Sequence, residues 1–289
     1  MKEENVHAPK YREAKPPQSN ASVPVSRLFS LEDRTVLVTG ATGYLGVTVT
    51  KAILESGGDV VCLDLVENPP KETWDEISEV AERFSGSVHY FQCNVCDENL
   101  IDFIFSQFVP VLKKPLRGLV ACAGVSDNGP ATDFPVDSFR RLFDINVTGT
   151  FAIAQHMSRE AIKHGLSMSL VFVASMSGYV SNKGVDTAGY NSSKAAVHQL
   201  ARSLAAEWGS RVNIPLIRVN SLSPGYIRTD ATAEALKKPG MEDQWVGDSM
   251  LNRLSTVDEF RAPVLFLLGD GSSYMTGADL RVDGGHCAW

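Results

Sequence analysis

Short, continuously apolar runs alternate with amphipathic stretches from about residue 34 to the end of this 289-residue chain. Val60-Val61-Cys62-Leu63 and Leu170-Val171-Phe172-Val173 are two of these runs. A strand exposed on one face alternates polar and apolar residues, whereas an unbroken apolar run suits a parallel strand covered on both faces. Strand–helix repetition with right-handed crossovers then winds a sheet in both directions from its centre. The pattern predicts strands over 34–39, 59–64, 88–92, 118–122, 169–175, 217–222 and 280–282. Helices are predicted over 44–55, 71–84, 98–112, 139–164, 188–207 and 257–268. Residues 1–28 are polar, contain Lys15-Pro16-Pro17, and read as a flexible tail. Residues 29–289 form one domain, in which 226–254 lack clear periodicity and read as a lid.

The first predicted strand runs into Thr39-Gly40-Ala41-Thr42-Gly43-Tyr44-Leu45-Gly46 and then a helix. Gly40, Gly43 and Gly46 permit a tight turn and close approach of backbone to a pyrophosphate, with Leu45 inside the same turn. The helix that follows presents free N–H groups and a partial positive charge to that anion. The expected fold is therefore α/β, a Rossmann-type doubly wound parallel sheet of about seven strands with helices on both faces. Asp64 closes the second strand 18 residues after Gly46. A carboxylate there can accept from both ribose hydroxyls and would repel a 2′-phosphate. No Arg or Lys stands at 41–45 or at 65 and 66 to offset it, so NAD is expected in preference to NADP.

The formal net charge of -7 argues against a nucleic-acid partner, which usually needs a basic face. No apolar run reaches the roughly 18 residues that a membrane helix requires, and the first residues lack the apolar core of a secretory signal. A cytoplasmic location is expected. The five cysteines read as reduced, mostly buried thiols.

Tyr190 and Lys194 stand four residues apart in a predicted helix, fifteen residues after Ser175. Residues at i and i+4 share a helix face. A free phenol, with a pKa near 10, is a poor base at neutral pH. A neighbouring ammonium is expected to lower that pKa and to let Tyr190 exchange a proton with an alcohol.

The chain resembles the short-chain dehydrogenase/reductase family from about residue 34 to 289. The resemblance is carried by the glycine turn, Ala123-Gly124, Asn146 in Asp144-Ile145-Asn146-Val147, Ser175, Tyr190 with Lys194, Pro224-Gly225, and Asp283-Gly284-Gly285. It implies Tyr190 as acid/base, Ser175 as hydrogen-bond partner of the substrate oxygen, and Lys194 on the nicotinamide ribose. It further implies that Asn146 anchors a water in a proton relay. Asn94 and Val95 would border the adenine, and Ala123 and Gly124 the ribose. Pro224, Gly225, Ile227 and Thr229 would meet the nicotinamide. Ser177 competes with Ser175, and the family's spacing together with the strand-end position favours Ser175.

Within the family the chain is similar to fungal polyol dehydrogenases and ketose reductases of the arabinitol, mannitol, sorbitol and xylulose type. The similar stretches include Ser175-Met176-Ser177-Gly178 and Leu222-Ser223-Pro224-Gly225-Tyr226-Ile227. This implies a small-molecule alcohol or ketone as partner, most simply a polyol or ketose. A bulky ketone of fungal secondary metabolism is the alternative, since Trp245 and Met250 lie in the lid. Asn182 and Tyr226 are further candidates to touch substrate. The family's habit of pairing long helices implies a homotetramer or homodimer.

Overall fold

A computed structural model describes residue 12 and residues 23–289 of the chain. Among the described residues, seven strands pair in parallel: β1 (Thr35–Thr39), β2 (Asp59–Asp64), β3 (Val88–Gln92), β4 (Leu116–Ala121), β5 (Met168–Val173), β6 (Ile217–Pro224) and β7 (Asp279–Val282). Their order is β3-β2-β1-β4-β5-β6-β7, the doubly wound arrangement expected from the apolar runs. The chain steps outward from β1 to β3, then returns to the other side of β1 at β4. The C-terminal ends of β1 and β4 therefore border the crevice where such sheets bind ligands.

The strand runs are continuous because each face of the sheet meets its own helical layer. Leu37, Val61, Leu119, Leu170 and Phe172 point into one core, against α3 (Glu98–Phe108), α5 (Thr150–His164) and α6 (Ala188–Ser210). Val36, Val38, Val60, Val120 and Val171 point into the other, against α1 (Tyr44–Glu55), α2 (Lys71–Arg83) and α9 (Arg261–Leu268). Fully burying one such side chain contributes roughly 1.5–3 kcal/mol.

Local chemistry sets the helix ends. The Asp97 side chain accepts from the Leu100 amide at 3.0 Å and caps α3. Gly165 takes the left-handed conformation, φ 66°, that closes α5.

The expected long helix over 139–164 is divided. It begins as α4 (Val136–Phe143), widens into a π-helical segment at Asp144–Gly149, and continues as α5. The Thr150 hydroxyl donates to the Asn146 carbonyl at 2.8 Å inside that segment. The helix over 257–268 likewise opens with a 3-10 turn, Val257–Phe260, before α9. The lid carries two short helices, α7 (Asp230–Leu236) and α8 (Met241–Gly247). Of the expected tail, Val25–Phe29 form a 3-10 turn packed near residues 269–271, and Arg12 reaches the Arg211 carbonyl; the rest lies outside the described residues.

Arg218 ties β6, next to the edge of the sheet, to the end of α9 and the segment that leads to β7. Its guanidinium donates to the Leu267, Gly269 and Met275 carbonyls and to the Ser272 hydroxyl, at 3.0–3.2 Å. Burial pushes its pKa down to about 10, so the charge persists at neutral pH. Replacing it with Leu would strand buried carbonyls without donors. Arg218→Leu is expected to lower unfolding stability by about 3 kcal/mol, measured by urea titration; an unchanged midpoint would contradict the brace.

Candidate active site

The glycine turn closes the C-terminal end of β1 against the end of β4. Gly40 has φ 63°, and a Cβ there would stand 2.7 Å from the Ala123 amide nitrogen. At Gly46 a Cβ would meet the Gly40 carbonyl oxygen at 2.1 Å, so no other residue fits. Gly43 is the N-cap of α1 and provides no side-chain capping bond. The Leu45 amide, at the start of α1, lies at the crevice end of the helix, where Gly43 offers no side-chain cap. A helix dipole behind a turn with glycine at 40, 43 and 46 fits a dinucleotide pyrophosphate.

Asn94 and Val95 follow β3 beside this turn. The Asn94 side chain accepts from the Cys96 amide at 3.1 Å. The Val95 side chain closes on Gly149, where a Cβ would come within 2.6 Å of it. Pro224 ends β6, and Gly225 lies so close to Asp283 that a Cβ would be 2.7 Å from its Cα. Ile227 bridges to Ser255, and Thr229 caps α7 by a reciprocal bond with Thr232.

The catalytic candidates converge from three elements. Tyr190 and Lys194 lie on α6, Ser175 follows β5, and Asn146 sits in the π-helical segment. The Tyr190 phenol and the Ser175 hydroxyl lie near enough for Ser175 to act on the phenol's ionisation. Ser175 Oγ also accepts from the Ser177 amide at 3.1 Å, which orients it and leaves Ser177 as its support. Lys194 Nζ donates to the Val173 carbonyl at 2.8 Å and lies 5.7 Å from the Tyr190 ring centroid.

Asn146 is buried, and every polar atom of its side chain is used. Its amide nitrogen donates to the Val125 carbonyl and the Ser193 hydroxyl, both at 2.9 Å, while its oxygen accepts from the Val125 amide at 2.8 Å. Asn146 thus ties the loop after β4 to the helix that carries Tyr190. A Cβ on Gly124 would be 3.2 Å from Asn146 Oδ1 and 3.4 Å from Lys194 Nζ, a tight fit against both.

The electrostatics correct one expectation. Burial raises the Tyr190 pKa, and the neighbouring Ser175 hydroxyl only partly opposes it. Burial also lowers Lys194 to about 8. The ammonium is committed to Val173 beside the ring, so desolvation of the phenol outweighs its attraction. At neutral pH, Tyr190 keeps its proton and Lys194 is mostly charged. The site is loaded to give a proton.

Among the substrate candidates, Asn182, Tyr226 and Trp245 come together. Asn182 Nδ2 donates to the Tyr226 hydroxyl at 3.1 Å, and the Tyr226 ring stacks on Trp245 with centroids 4.0 Å apart. Met250 lies apart from them, half exposed against Gly285. Sequence reasoning missed His286, whose ring meets the edge of Tyr226 at 5.4 Å; nothing in a position sixty residues downstream signals that contact. It also missed Ser193, which the spacing to Lys194 could have indicated.

A cleft with a glycine-lined anion seat and a group of half-buried Tyr190 with buried Ser175 and Lys194 fits dinucleotide-dependent oxidoreductases of alcohols. Comparison with known proteins is in keeping with this. A family profile described as enoyl-(acyl carrier protein) reductase matches residues 40–286. The chain is 66% identical, over 99% of its length and 98% of the other's, to the "Short chain dehydrogenases/reductase notP'" of Aspergillus versicolor. It is 34% identical to a D-arabinitol 2-dehydrogenase (ribulose-forming) of Candida albicans, covering 90% of this chain and 95% of that one. The crystal structure of an NADPH-dependent 3-quinuclidinone reductase from Rhodotorula rubra superposes with TM-score 0.85 at 31% identity, covering 96% and 99% of the two chains. The chain belongs to the short-chain dehydrogenase/reductase family, and it is an NAD(P)-dependent enzyme acting on CH–OH groups.

The expected preference for NAD is corrected. The quinuclidinone reductase is NADPH-dependent. A solved Agrobacterium tumefaciens relative, 26% identical with TM-score 0.79 over 91% of this chain and 99% of its own, carries bound NADP. The physical reason lies in Asp64. One oxygen accepts from the Thr42 amide at 2.8 Å and the Thr42 hydroxyl at 2.7 Å, and the other from the Leu65 amide at 2.7 Å. The carboxylate straps the glycine turn to β2, so an acid at this position is no guide to the ribose. Thr42 was the residue that the linear reading overlooked.

Two outcomes follow from this geometry. Gly46→Ala is expected to weaken cofactor binding at least about tenfold while leaving secondary structure intact, read by fluorescence titration with reduced cofactor and by circular dichroism. Because the Tyr190 pKa is raised, its acid form persists to high pH. Turnover in the oxidation direction is therefore expected to climb from pH 7 to 10 as the small phenolate fraction grows, while turnover in reduction, which uses the protonated phenol, stays nearly constant in its dependence on Tyr190 over the same interval. Initial rates in both directions test this, and an oxidation rate independent of pH would contradict it.

Proposed function

We propose that this enzyme interconverts a secondary alcohol and a ketone of the polyol/ketose class, with Tyr190 as acid/base, Ser175 on the substrate oxygen, and Lys194 and Asn146 as their supports. The single observation that carries this reading is the convergence of Tyr190 and Lys194 on one face of α6 with Ser175 after β5, where the Lys194 ammonium is held on the Val173 carbonyl. The bound dinucleotide supplies or accepts the hydride. In reduction, the Ser175 hydroxyl donates to the ketone oxygen and stabilises the negative charge that develops there. Tyr190 gives its proton to that oxygen, completing the alcohol. Lys194, charged at neutral pH, offsets the phenolate left behind and holds the cofactor ribose. Gly40, Gly43, Leu45 and Gly46 hold the pyrophosphate, Asp64 steadies the turn, and Asn94 and Val95 border the base. Ala123 and Gly124 line the ribose, and Pro224, Gly225, Ile227 and Thr229 the nicotinamide. Oxidation runs the same steps in reverse.

The polyol reading draws support from the arabinitol dehydrogenase at 34% identity and from the polar pair of Asn182 and the Tyr226 hydroxyl, 3.1 Å apart. A second reading, a ketone or alcohol on a bulky scaffold, is favoured by the aromatic wall of the lid. Tyr226 and Trp245 stack with 5° between their planes. Trp245 Nε1 and His286 Nδ1 are buried there with no hydrogen-bond partner. An apolar scaffold with a few polar atoms would match such a surface better than a sugar chain, whose buried hydroxyls each need a partner.

No helix among the described residues is long and apolar enough to cross a membrane. We propose a cytoplasmic homotetramer or homodimer joined through α4–α5 and α6, where Phe139 and Phe151 stand partly exposed. Light scattering would read its mass, and a monomer would refute the association.

Tyr190→Phe is expected to lower kcat by about 10³-fold or more, with cofactor affinity unchanged. Near-normal turnover would reject the mechanism. A spectrophotometric screen of C5 and C6 polyols and ketoses against bulky cyclic ketones, with each nucleotide, separates the two substrate readings: the class with the higher kcat/KM is the substrate class.

A further inference from the structure

His198 lies one helical turn beyond Lys194, as Lys194 lies one turn beyond Tyr190, so the three residues run down one face of α6. The described mechanism does not use it. Yet its ring, 2% exposed, is enclosed by the other elements that build the site. Its Nε2 is 2.7 Å from the hydroxyl of Ser223, the residue before Pro224-Gly225. Its Cε1 and Nδ1 are so close to Gly178, three residues after Ser175, that a Cβ there would meet them at 2.6 and 2.8 Å. Tyr179 covers the ring, with centroids 4.3 Å apart, and Arg281 lies over Tyr179 in turn.

The proton inventory gives this contact a direction. Asp279 Oδ1 receives the Ser221 hydroxyl at 2.6 Å and the Ser223 hydroxyl at 2.7 Å. An ionised carboxylate only accepts, so Ser223 spends its one proton on Asp279. The remaining capacity of Ser223 Oγ is as acceptor, and the hydrogen it receives is on His198 Nε2. The tautomer is thereby set: Nε2–H toward Ser223, and a bare Nδ1 against the backbone turn of Gly178. Burial lowers the imidazole's pKa and favours this neutral form, against the pull of Asp279.

We propose that His198 is a positioning residue, which fixes the distance between the Tyr190–Lys194 helix, the Ser175 turn and the end of β6 that adjoins the nicotinamide. The proposal rests on the proposed roles of Tyr190 and Ser175. The imidazole is rigid, filled on both sides, and hydrogen-bonded at the edge that faces β6. A side chain of equal bulk without the N–H would still fill the space, but would free Ser223 and let the strand end and the helix shift independently. Displacing reacting groups by about 1 Å can cost about 10²-fold in rate.

The test compares His198→Leu, His198→Gln and Ser223→Ala in the full-length enzyme, with Tyr190→Phe as a parallel control. Rates are normalised to folded protein by circular dichroism. His198→Leu and Ser223→Ala are expected to lower kcat about tenfold or more, with KM for the alcohol or ketone unchanged. His198→Gln retains an N–H donor in a similar place and is expected to recover most of that loss. The proposal is overturned if His198→Leu or Ser223→Ala keeps wild-type kcat, or if His198→Gln falls as far as His198→Leu. Should His198→Leu fail to fold, Ser223→Ala decides alone, because it leaves the imidazole and its packing in place. An active Tyr190→Phe would instead reject the underlying mechanism, whatever the His198 variants do.

Discussion

A buried ammonium must find an acceptor, and Lys194 finds one at the end of the sheet. The side chain is 6% exposed, and its Nζ donates to the Val173 carbonyl where β5 ends. Leaving that charge buried without a partner would be far more costly than exposing it. The contact therefore locks the register of α6 against β5. Tyr190, one turn earlier on the helix, is brought against Ser175, two residues beyond Val173. A side chain at position 124 would press on Nζ and on Asn146, which lie 3.4 and 3.2 Å from where its Cβ would stand. The same burial that makes the contact necessary also pulls Lys194 down to about 8 and pushes Tyr190 up. Chemistry and packing at this point are one problem.

The sheet makes the convergence possible. Since its strands are all parallel, their C-terminal ends lie along one edge, and loops from β1, β4, β5 and β6 meet there. Each loop brings a group that must sit near backbone: glycine at 40 and 46, Ala123-Gly124, Ser175, Pro224-Gly225. The π-helical segment serves the same end. It sets Asn146 inward, where its amide joins Val125 of the β4 loop to Ser193 of α6. The site is rigid because these ties are buried and mutually satisfied.

Much of this could be read from the chain. Unbroken apolar runs such as Val60–Leu63 announced strands with two covered faces, and two separate cores lie on either side of them. The glycine spacing marked the turn, and the four-residue step from Tyr190 to Lys194 marked a shared face. What failed involved partners distant in sequence. Asp64 looked like a free ribose acceptor, until Thr42 across the turn was seen to occupy it. Lys194 looked set to acidify Tyr190, until Val173 was seen to hold the ammonium and burial to dominate the phenol. The division of the 139–164 helix was hidden because the six residues of the π-helical segment are too few to show a period of their own. The contact of His286 with Tyr226 was hidden because sixty residues separate them.

By itself, the sequence determined the parallel sheet, the place of the dinucleotide turn, and the family to which Tyr190, Lys194 and Ser175 point. These follow from periodicity and short spacings, which act through local backbone geometry and the burial of apolar faces. Tertiary structure alone decided which of the polar groups are free and which are spent. Asp64 is spent on Thr42, Asn146 on Val125 and Ser193, and His198 on Ser223, whereas Trp245 keeps an N–H without a partner. A hydrogen bond depends on a few tenths of an ångström between residues far apart in the chain, and no pattern along the chain encodes that distance.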